Sequence, residues 1–473
     1  MLSFGAFRTL LGVSMYMTTP KRQLFKQGIY IFGLLFLSAI LGIIVSITTN
    51  YFVSSVKWFL GLRTGNIAFF GLHNFLFAPV LWLFLVVFIL YYVRKICDIT
   101  RWHGPSDAVY ASHRTDNELD LKRGLGSTFA ALVSLCGGAP VGQYGPLVNF
   151  GASIASFFSQ ITRIRLITPE ILMSCGVAAA ISAGFQAPIA GIIFAHEAIL
   201  RHFSLRALLP IAVSSTISAA FGSWAFGGTP LFSLKVGAPE LMPLLPALFI
   251  SGFVFGTVAL IYMKMIFGFS SIPAKYNLGY LPFALFAAAV TGVFGVFFPE
   301  ILGLGVDIIF SFITDDFSIA FIVTLLGLKI FLTSLCVGFG IFGGVFSPAL
   351  FIGAASGQFM SNLLGHMSMF APSTVLAISG MAAVAACVVG APLAVVMIIL
   401  ELTMSYEYAI AALVSTMVAV MVTNNFYGHS FFDKQLEHRG IDLSQGRGNL
   451  ELMEKQVSSI LTQDYLSVAP EET

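Results

Sequence analysis

The chain has 473 residues, of which 57% are hydrophobic and 10% are charged, and its formal net charge is +2. Soluble domains carry about 25% charged residues, so this composition excludes an ordinary water-soluble protein and predicts a polytopic membrane protein. The small net charge gives no support for a nucleic-acid partner. The five cysteines show no metal or redox spacing, so we interpret them as packing residues.

Seven long apolar stretches follow one another along the chain. Each is near the roughly 20 residues that a spanning helix needs, and several are interrupted by Gly or Pro, as in transporters with broken helices. The stretches are Gly28–Thr49, Pro79–Val93, Ala207–Phe226, Leu241–Met263, Leu281–Phe298, Ile319–Phe342 and Ile410–Phe426.

The N-terminal segment is not a signal peptide, because its apolar content is weak and no small-residue cleavage site follows. Basic residues at KRQLFK (Lys21–Lys26) and at Arg94–Lys95 favour a cytoplasmic N-terminus and a two-span hairpin.

Three Gly-Pro turns each open a predicted helix. They are HGPSDAV (His103–Val109), GQYGPLVNFG (Gly142–Gly151) and GGVFSPALFIGA (Gly343–Ala354). A proline at the first helical position costs nothing, and free N–H groups at a helix start bind anions. We expect the three turns to surround one small anion. The alternative is that their glycines only pack membrane helices.

An internal repeat relates the two halves. SCGVAAAISAGFQAPIAGIIFAHE (Ser174–Glu197) matches ISGMAAVAACVVGAPLAVVMIILE (Ile378–Glu401) without a gap, and the turns at Pro146 and Pro348 match at almost the same offset. Two matching segments at nearly one offset indicate a duplication. Transporters built from two repeats place their site between the repeats.

These motifs resemble the CLC family of chloride channels and chloride/proton antiporters. GGAPVGQYGPLVNFGA resembles its G-x-E-G-P segment and GGVFSPALFIGA its G-x-F-x-P segment, while HSFFDKQLEHRG (His429–Gly440) resembles its last helix. The resemblance implies an all-α polytopic fold of two inverted repeats with broken helices over residues 1–440. It also implies a homodimer in the lipid bilayer that transports chloride, with no other cofactor and no enzymatic activity.

Two departures from the family bear on proton coupling. Tyr144 stands where the family has its gating glutamate, and a phenol with a pKa of about 10 stays neutral at physiological pH. Ala198 stands where the antiporters have an inner proton-carrying glutamate. We therefore predict a passive anion channel with Tyr144 as its gate. The alternative is an antiporter that uses Glu197, with His196 beside it.

The remaining anion ligands come from the resemblance. It assigns the backbone N–H groups of Val345 and Phe346 to the central anion, and it places Gly145 and Gln143 on either side of the gate. Phe432 replaces a tyrosine that donates to the central anion. The Tyr144 hydroxyl either replaces that donor, plugs the outer site, or packs sideways out of the pathway.

His103 and Gly104 match the turn that holds the family's inner serine. His103 is predicted either to donate to an anion and titrate near neutral pH, or to face water at the cytoplasmic mouth.

Three charges lie within apolar runs, where charges are costly. Glu197 and Glu401 occupy equivalent repeat positions, and we favour a capping or pairing role for both. Lys329 is predicted to snorkel or to add positive potential to the pathway.

The segment 441–473 is predicted to be a cytoplasmic tail. Its end, VSSILTQDYLSVAPEET (Val457–Thr473), resembles the start of a CBS domain, a module that binds adenosine nucleotides. We expect a longer protein to carry the complete CBS pair. The alternative is a disordered acidic tail. The predicted location is the inner (plasma) membrane, with both termini cytoplasmic.

Overall fold

The computed structural model describes residues 19–63, 78–114, 116–162, 168–227, 239–276 and 279–443, and within these ranges the chain is almost wholly helical. The first half contains α1 (Thr19–Arg63), α2 (Ala78–Ile96), α3 (Pro105–His113), α4 (Leu121–Cys136), α5 (Tyr144–Thr162), α6 (Pro169–Phe185), α7 (Pro188–Phe194) and α8 (Leu205–Phe226). A π-helix, Ala195–Leu200, extends α7.

The second half continues the same pattern. It contains α9 (Leu245–Tyr276), α10 (Tyr280–Phe297), α11 (Val306–Thr314), α12 (Ile319–Gly338), α13 (Phe346–His366), α14 (Ser373–Val389), α15 (Pro392–Thr403), α16 (Tyr406–Phe426) and α17 (Phe431–Glu437). The predicted CBS-like segment Val457–Thr473 lies outside the described residues.

Among the described residues, seven helical segments are long and apolar enough to cross a membrane, and each overlaps one of the seven predicted stretches. That prediction is therefore confirmed. Four shorter apolar segments occur as two consecutive pairs, at residues 169–185 and 188–200 and at residues 373–389 and 392–403, and each pair is followed by a long segment. The second segment of each pair is shorter than a spanning helix, whereas α6 and α14, with 17 residues each, are at the lower limit of that length. Both α6 and α14 are almost entirely buried.

Two glycine crossings hold the short helices against their neighbours. A Cβ atom on Gly151 of α5 would lie 2.2 Å from the carbonyl oxygen of Gly176 on α6. A Cβ atom on Gly353 of α13 would likewise lie 2.2 Å from the carbonyl oxygen of Gly380 on α14. Only glycine permits such close backbone approach between membrane helices. The same crossing occurs in both halves, as the internal repeat requires.

The carboxylates of Glu197 and Glu401 each accept hydrogen bonds from the opposite half of the chain. The Glu197 carboxylate accepts hydrogen bonds from the N–H groups of Leu393 and Ala394, at 3.1 and 2.8 Å. Glu401 accepts from the N–H groups of Ile189 and Ala190, at 3.0 and 2.7 Å. Each carboxylate thus caps the start of α15 or α7 in the other half. This is the capping role that the sequence favoured.

Lys329 on α12 does not snorkel, so that interpretation of the sequence is wrong. Its side chain is fully buried, and its Nζ atom donates to the carbonyl oxygens of Ile301 and Gly303, both at 2.8 Å. The ammonium group also lies 4.7 Å from the centre of the Phe351 ring. A buried cation with these partners anchors the loop between α10 and α11.

We expect Glu401→Ala to lower the free energy of unfolding by about 2–4 kcal/mol, because two helix-start N–H groups lose their acceptor in a low-dielectric environment. Thermal unfolding in detergent measures the change. Glu197→Ala should act to a similar extent, whereas Glu118→Ala, at an exposed carboxylate, is the control and should change little. Equal melting temperatures for wild type and Glu401→Ala would contradict the capping role.

Candidate anion-binding site

The turns that precede α5 and α13 are joined directly to each other. The Gly142 N–H donates to the Gly344 carbonyl oxygen and the Gly344 N–H donates to the Gly142 carbonyl oxygen, both at 2.6 Å. The Gln143 N–H also donates to the Ser347 hydroxyl oxygen, at 3.3 Å. A Cβ atom on Gly142 would lie 2.8 Å from the Gly344 carbonyl oxygen, so a side chain there would force the turns apart.

A cavity of about 170 Å³ lies beside this junction, and we call it the Arg439 cavity. Its wall brings together the turn before α3, the start of α5, the turn before α13 and two rings of α17. The lining includes Trp102, Gly104, Pro105, Ser106, Gly145, Pro146, Ser270, Gly343, Gly344, Val345, Phe346, Phe431, Phe432, Gln435 and Arg439. Three Gly-Pro turns thus meet at one small cavity.

The backbone supplies much of the polarity of this wall. The N–H groups in the first turn of a helix have no acceptor inside that helix, and they sit at the positive end of its dipole. Pro105 and Phe346 are the first residues of α3 and α13, Gly145 is the second residue of α5, and all three line the cavity. Small anions are stabilised by such an arrangement without any bound cation.

Phe432 lines the Arg439 cavity with an aromatic ring and brings no hydroxyl group. At the start of its helix, α17, the Ser430 hydroxyl accepts from the Asp433 N–H and the Asp433 carboxylate accepts from the Ser430 N–H. The ring therefore contributes shape to the cavity and no side-chain donor.

Tyr144 lies in an aromatic cluster next to this cavity. Its ring stacks on Phe185, with centroids 3.7 Å apart, and meets the Phe346 ring edge to face at 5.7 Å. The side chain is 3% exposed, and its hydroxyl donates to the Gly184 carbonyl oxygen at 3.4 Å. In this arrangement the hydroxyl proton is directed at the protein backbone.

A second cavity, of about 660 Å³, borders Gln143, the residue that precedes Tyr144 in the turn. We call it the Gln143 cavity, since Gln143 lines it together with Lys57, Glu300, Asp307 and the loop that Lys329 anchors. Gln143 borders this cavity and Gly145 borders the Arg439 cavity. Tyr144 lies between these two residues in the sequence, and its ring contacts Phe346, which lines the Arg439 cavity.

His103 does not line the Arg439 cavity, in contrast to its predicted role as an inner anion donor. Its side chain lines a separate cavity of about 520 Å³ that also includes Arg101, Asp107 and Arg114. The His103 N–H donates to the Ser127 hydroxyl oxygen at 3.0 Å. Burial, together with the nearby Arg101, lowers the pKa of His103 below its usual value. Gly104, the next residue, does reach the Arg439 cavity.

His196 is buried, and both of its ring nitrogens lie near backbone carbonyl oxygens. Its Nδ1 atom lies 3.0 Å from the Ile192 carbonyl oxygen and its Nε2 atom lies 3.4 Å from the Ser204 carbonyl oxygen. The ring stacks on Phe203. Since Glu197 is held by α15, these two neighbours in sequence have separate partners.

Several residues of the site were missed in the sequence. Ser106 lies in HGPSDAV and Arg439 lies in HSFFDKQLEHRG, but the sequence does not mark either residue as part of a site. Their contact joins positions 333 residues apart. Tyr262 on α9, whose hydroxyl donates to the Val345 carbonyl oxygen at 3.3 Å, has no motif around it. Thr333 on α12 donates to the Pro140 carbonyl oxygen at 2.7 Å and steadies the turn before α5.

A family model described as voltage gated chloride channel matches residues 83–424. The chain is 28% identical over 328 residues to the H(+)/Cl(−) exchange transporter ClcA of Vibrio campbellii, covering 66% of this chain and 68% of that one. It is 26% identical over 351 residues to the voltage-gated ClC-type chloride channel ClcB of Escherichia coli, covering 70% and 80%.

Solved structures share the fold. A slow cyanobacterial Cl−/H+ antiporter superposes with a TM-score of 0.74 at 19% identity, covering 86% of this chain and 97% of that one. A CLC-type fluoride/proton antiporter superposes with a TM-score of 0.69 at 20% identity, covering 85% and 97%.

The lowered pKa of His103 predicts little titration at neutral pH. We expect anion flux through wild type and His103→Gln to show the same pH profile above about pH 6.5, since the imidazole is neutral there. The profiles should diverge only at more acidic pH, where the ring gains its charge. Efflux from liposomes at stepped pH on the His103 side measures this. A midpoint near pH 7 that vanishes in His103→Gln would contradict the prediction.

Proposed function

The chain belongs to the voltage gated chloride channel family, and we propose that it conducts chloride passively through the Arg439 cavity, without coupled proton transport. The observation that carries the proposal is the lining of this cavity. Among the described residues that line it there is no Asp, Glu or His, and the charged side chain is Arg439. Such a wall favours an anion and offers no group that exchanges protons at neutral pH.

The two positions where a proton carrier is expected support the same proposal. Tyr144 has a neutral phenol at the gate, and Ala198 has no titratable group. Glu197, the carboxylate next to Ala198 in the sequence, already accepts two hydrogen bonds from the start of α15. Using it as a proton carrier would leave those N–H groups without an acceptor, at the cost of a buried unsatisfied donor pair.

The proposed conduction step follows from the geometry of the turns. An anion in the Arg439 cavity meets backbone N–H groups and one guanidinium, so it is attracted without a tightly bound metal ion. Passage towards the Gln143 cavity requires the Tyr144 ring to leave its stack on Phe185. Tyr144 therefore acts as a plug that gates the pathway, and its hydroxyl is not the ligand of the anion in the closed arrangement.

The alternative function is chloride/proton exchange. The names of several relatives favour it, since ClcA of Vibrio campbellii is described as an H(+)/Cl(−) exchange transporter. In this chain it would require Glu197 to leave α15 and carry the proton. A third possibility is a non-conducting protein in which Tyr144 is a permanent plug.

We also propose a homodimer in the inner (plasma) membrane, with both termini cytoplasmic. Around the glutamate-capped starts of α7 and α15, Ile189 and Leu393 are 49% and 45% exposed. These apolar side chains flank contacts that already join the two halves, so the same face is suited to a second copy. Adenosine nucleotide binding at a CBS pair is proposed only for a longer protein.

The proposed function is tested by recording chloride efflux and external pH together from liposomes that contain the purified protein. We expect chloride to leave quickly down its gradient while the pH stays constant, because the described lining of the Arg439 cavity includes no Asp, Glu or His. Proton movement against its gradient, driven by chloride, would overturn the proposal in favour of exchange through Glu197. Silence in both records would indicate a permanently plugged pathway.

Substitution at Tyr144 tests the gate. We expect Tyr144→Ala to raise chloride flux by about two- to tenfold, because the aromatic stack that must open is worth about 0.5–1.5 kcal/mol beyond its buried area. Tyr144→Phe keeps the stack and should change flux by less than about twofold. Phe157→Ala removes a partly exposed ring from the same helix and is the control. A large loss of flux in Tyr144→Phe would instead assign the hydroxyl to the anion.

A further inference from the structure

The Arg439 cavity has few side-chain donors, and most of them are already committed. The Trp102 indole N–H donates to the Gly340 carbonyl oxygen at 2.8 Å. The Ser270 hydroxyl donates to the Ile266 carbonyl oxygen at 2.8 Å. Phe432 has no donor. Two other polar side chains on this wall, Gln435 and Ser106, are available to a permeant anion.

Ser106 is different from Ser270 in the direction of its hydrogen bond. Its hydroxyl oxygen accepts from the Nη2 group of Arg439 at 3.3 Å, and the structure gives its proton no acceptor among the described residues. The side chain is 1% exposed and lines the cavity at the second residue of α3. A hydroxyl that accepts from a guanidinium is polarised, so its own proton becomes a stronger donor.

Arg439 is itself held in a fixed position. Its Nη1 group lies 2.9 Å from the Asp107 Oδ1 atom, and Arg101 lies 2.6 Å from the same oxygen. The other carboxylate oxygen of Asp107 accepts from the Gly104 N–H at 2.9 Å. Two guanidinium groups thus converge on one carboxylate, which leaves one positive charge uncompensated in the trio.

The ionised state of Asp107 supports this arrangement. Burial alone would raise the pKa of the carboxyl group, but the hydrogen bond from Arg101 and the charge of Arg439 outweigh burial and hold the pKa below its usual value. Asp107 therefore remains a carboxylate at neutral pH and keeps the Arg439 guanidinium next to Ser106.

We infer that the Ser106 hydroxyl is a side-chain ligand of the anion in the Arg439 cavity and that Arg439 is the positioning residue that orients it. The inference rests on the proposed function, since it assumes that a small anion occupies this cavity. It also gives the cavity a side-chain donor although His103 does not line it and Phe432 has no hydroxyl group. The hydroxyl is supplied from a neighbouring position of the same turn and is held by a residue that follows α17.

The test is a chloride titration of purified protein by isothermal calorimetry, starting from chloride-free buffer. We expect Ser106→Ala to raise the dissociation constant of chloride by about tenfold or more, the loss typical of one hydrogen bond to a charged group. The control is Ser112→Ala, on the same helix, whose buried hydroxyl donates to the Val109 carbonyl oxygen and does not line the cavity. It should leave the dissociation constant unchanged within about twofold.

A double-mutant cycle separates orientation of the hydroxyl from simple attraction by charge. If Arg439 acts through Ser106, Arg439→Gln should weaken chloride binding strongly in wild type and only slightly in the Ser106→Ala background. Equal effects in both backgrounds would overturn the positioning role of Arg439. If Ser106→Ala fails to fold, Ser106→Cys takes its place in the test, because it keeps a similar side-chain size with a weaker donor. We expect Ser106→Cys to bind chloride with an affinity between those of wild type and a protein without the donor.

The outcome for Ser106 is distinguishable from that for the proposed function. Chloride binding by Ser106→Ala equal to that of wild type would overturn this inference while leaving passive conduction intact. A wild-type protein that neither binds nor conducts chloride would instead overturn the proposed function. If wild-type flux is coupled to protons and Ser106→Ala binds chloride tenfold more weakly, Ser106 remains a ligand of the anion, but passive conduction is overturned.

Discussion

The reciprocal pair of hydrogen bonds between Gly142 and Gly344 is the contact on which the site depends. It joins the turn of one repeat to the turn of the other and leaves no room for side chains between them. Because α5 and α13 each start two residues after these glycines, their free N–H groups are brought to the same place. The Arg439 cavity, the aromatic cluster at Tyr144 and the Gln143 cavity are all arranged around this junction.

The arrangement uses backbone polarity where a soluble protein would use charged side chains. An ammonium or guanidinium group in the pathway would bind an anion strongly and slow its release, whereas N–H groups and hydroxyl groups bind it weakly enough to leave. Lys329 and Arg439 are both restrained by other groups. Lys329 is engaged by two carbonyl oxygens, and Arg439 is engaged by Asp107. Their charges set the local potential without forming a trap.

Much of the fold could be predicted from the sequence because its signals are long or repeated. The apolar stretches identified the spanning helices, and the spacing shared by Glu197 and Glu401 identified the repeat. Individual ligands could not be predicted as well. His103 and Ser106 are three residues apart on one turn, and which of them reaches the cavity depends on the packing of α17, which follows more than three hundred residues later. Likewise, nothing in the sequence around Lys329 indicates that two carbonyl oxygens will surround its ammonium group.

The exchange of glutamates between the halves has a consequence for how the protein is made. Glu401 accepts from the N–H of Ala190, which a ribosome synthesises 211 residues earlier, and Glu197 must wait 197 residues for the N–H of Ala394. Neither half can cap its own helix starts while it is alone in the membrane. Until the other half is inserted, each half has a glutamate carboxylate without its N–H donors and helix-start N–H groups without their acceptor. The final packing step is therefore shared by both halves, and insertion of the first half must leave it open enough to receive the second.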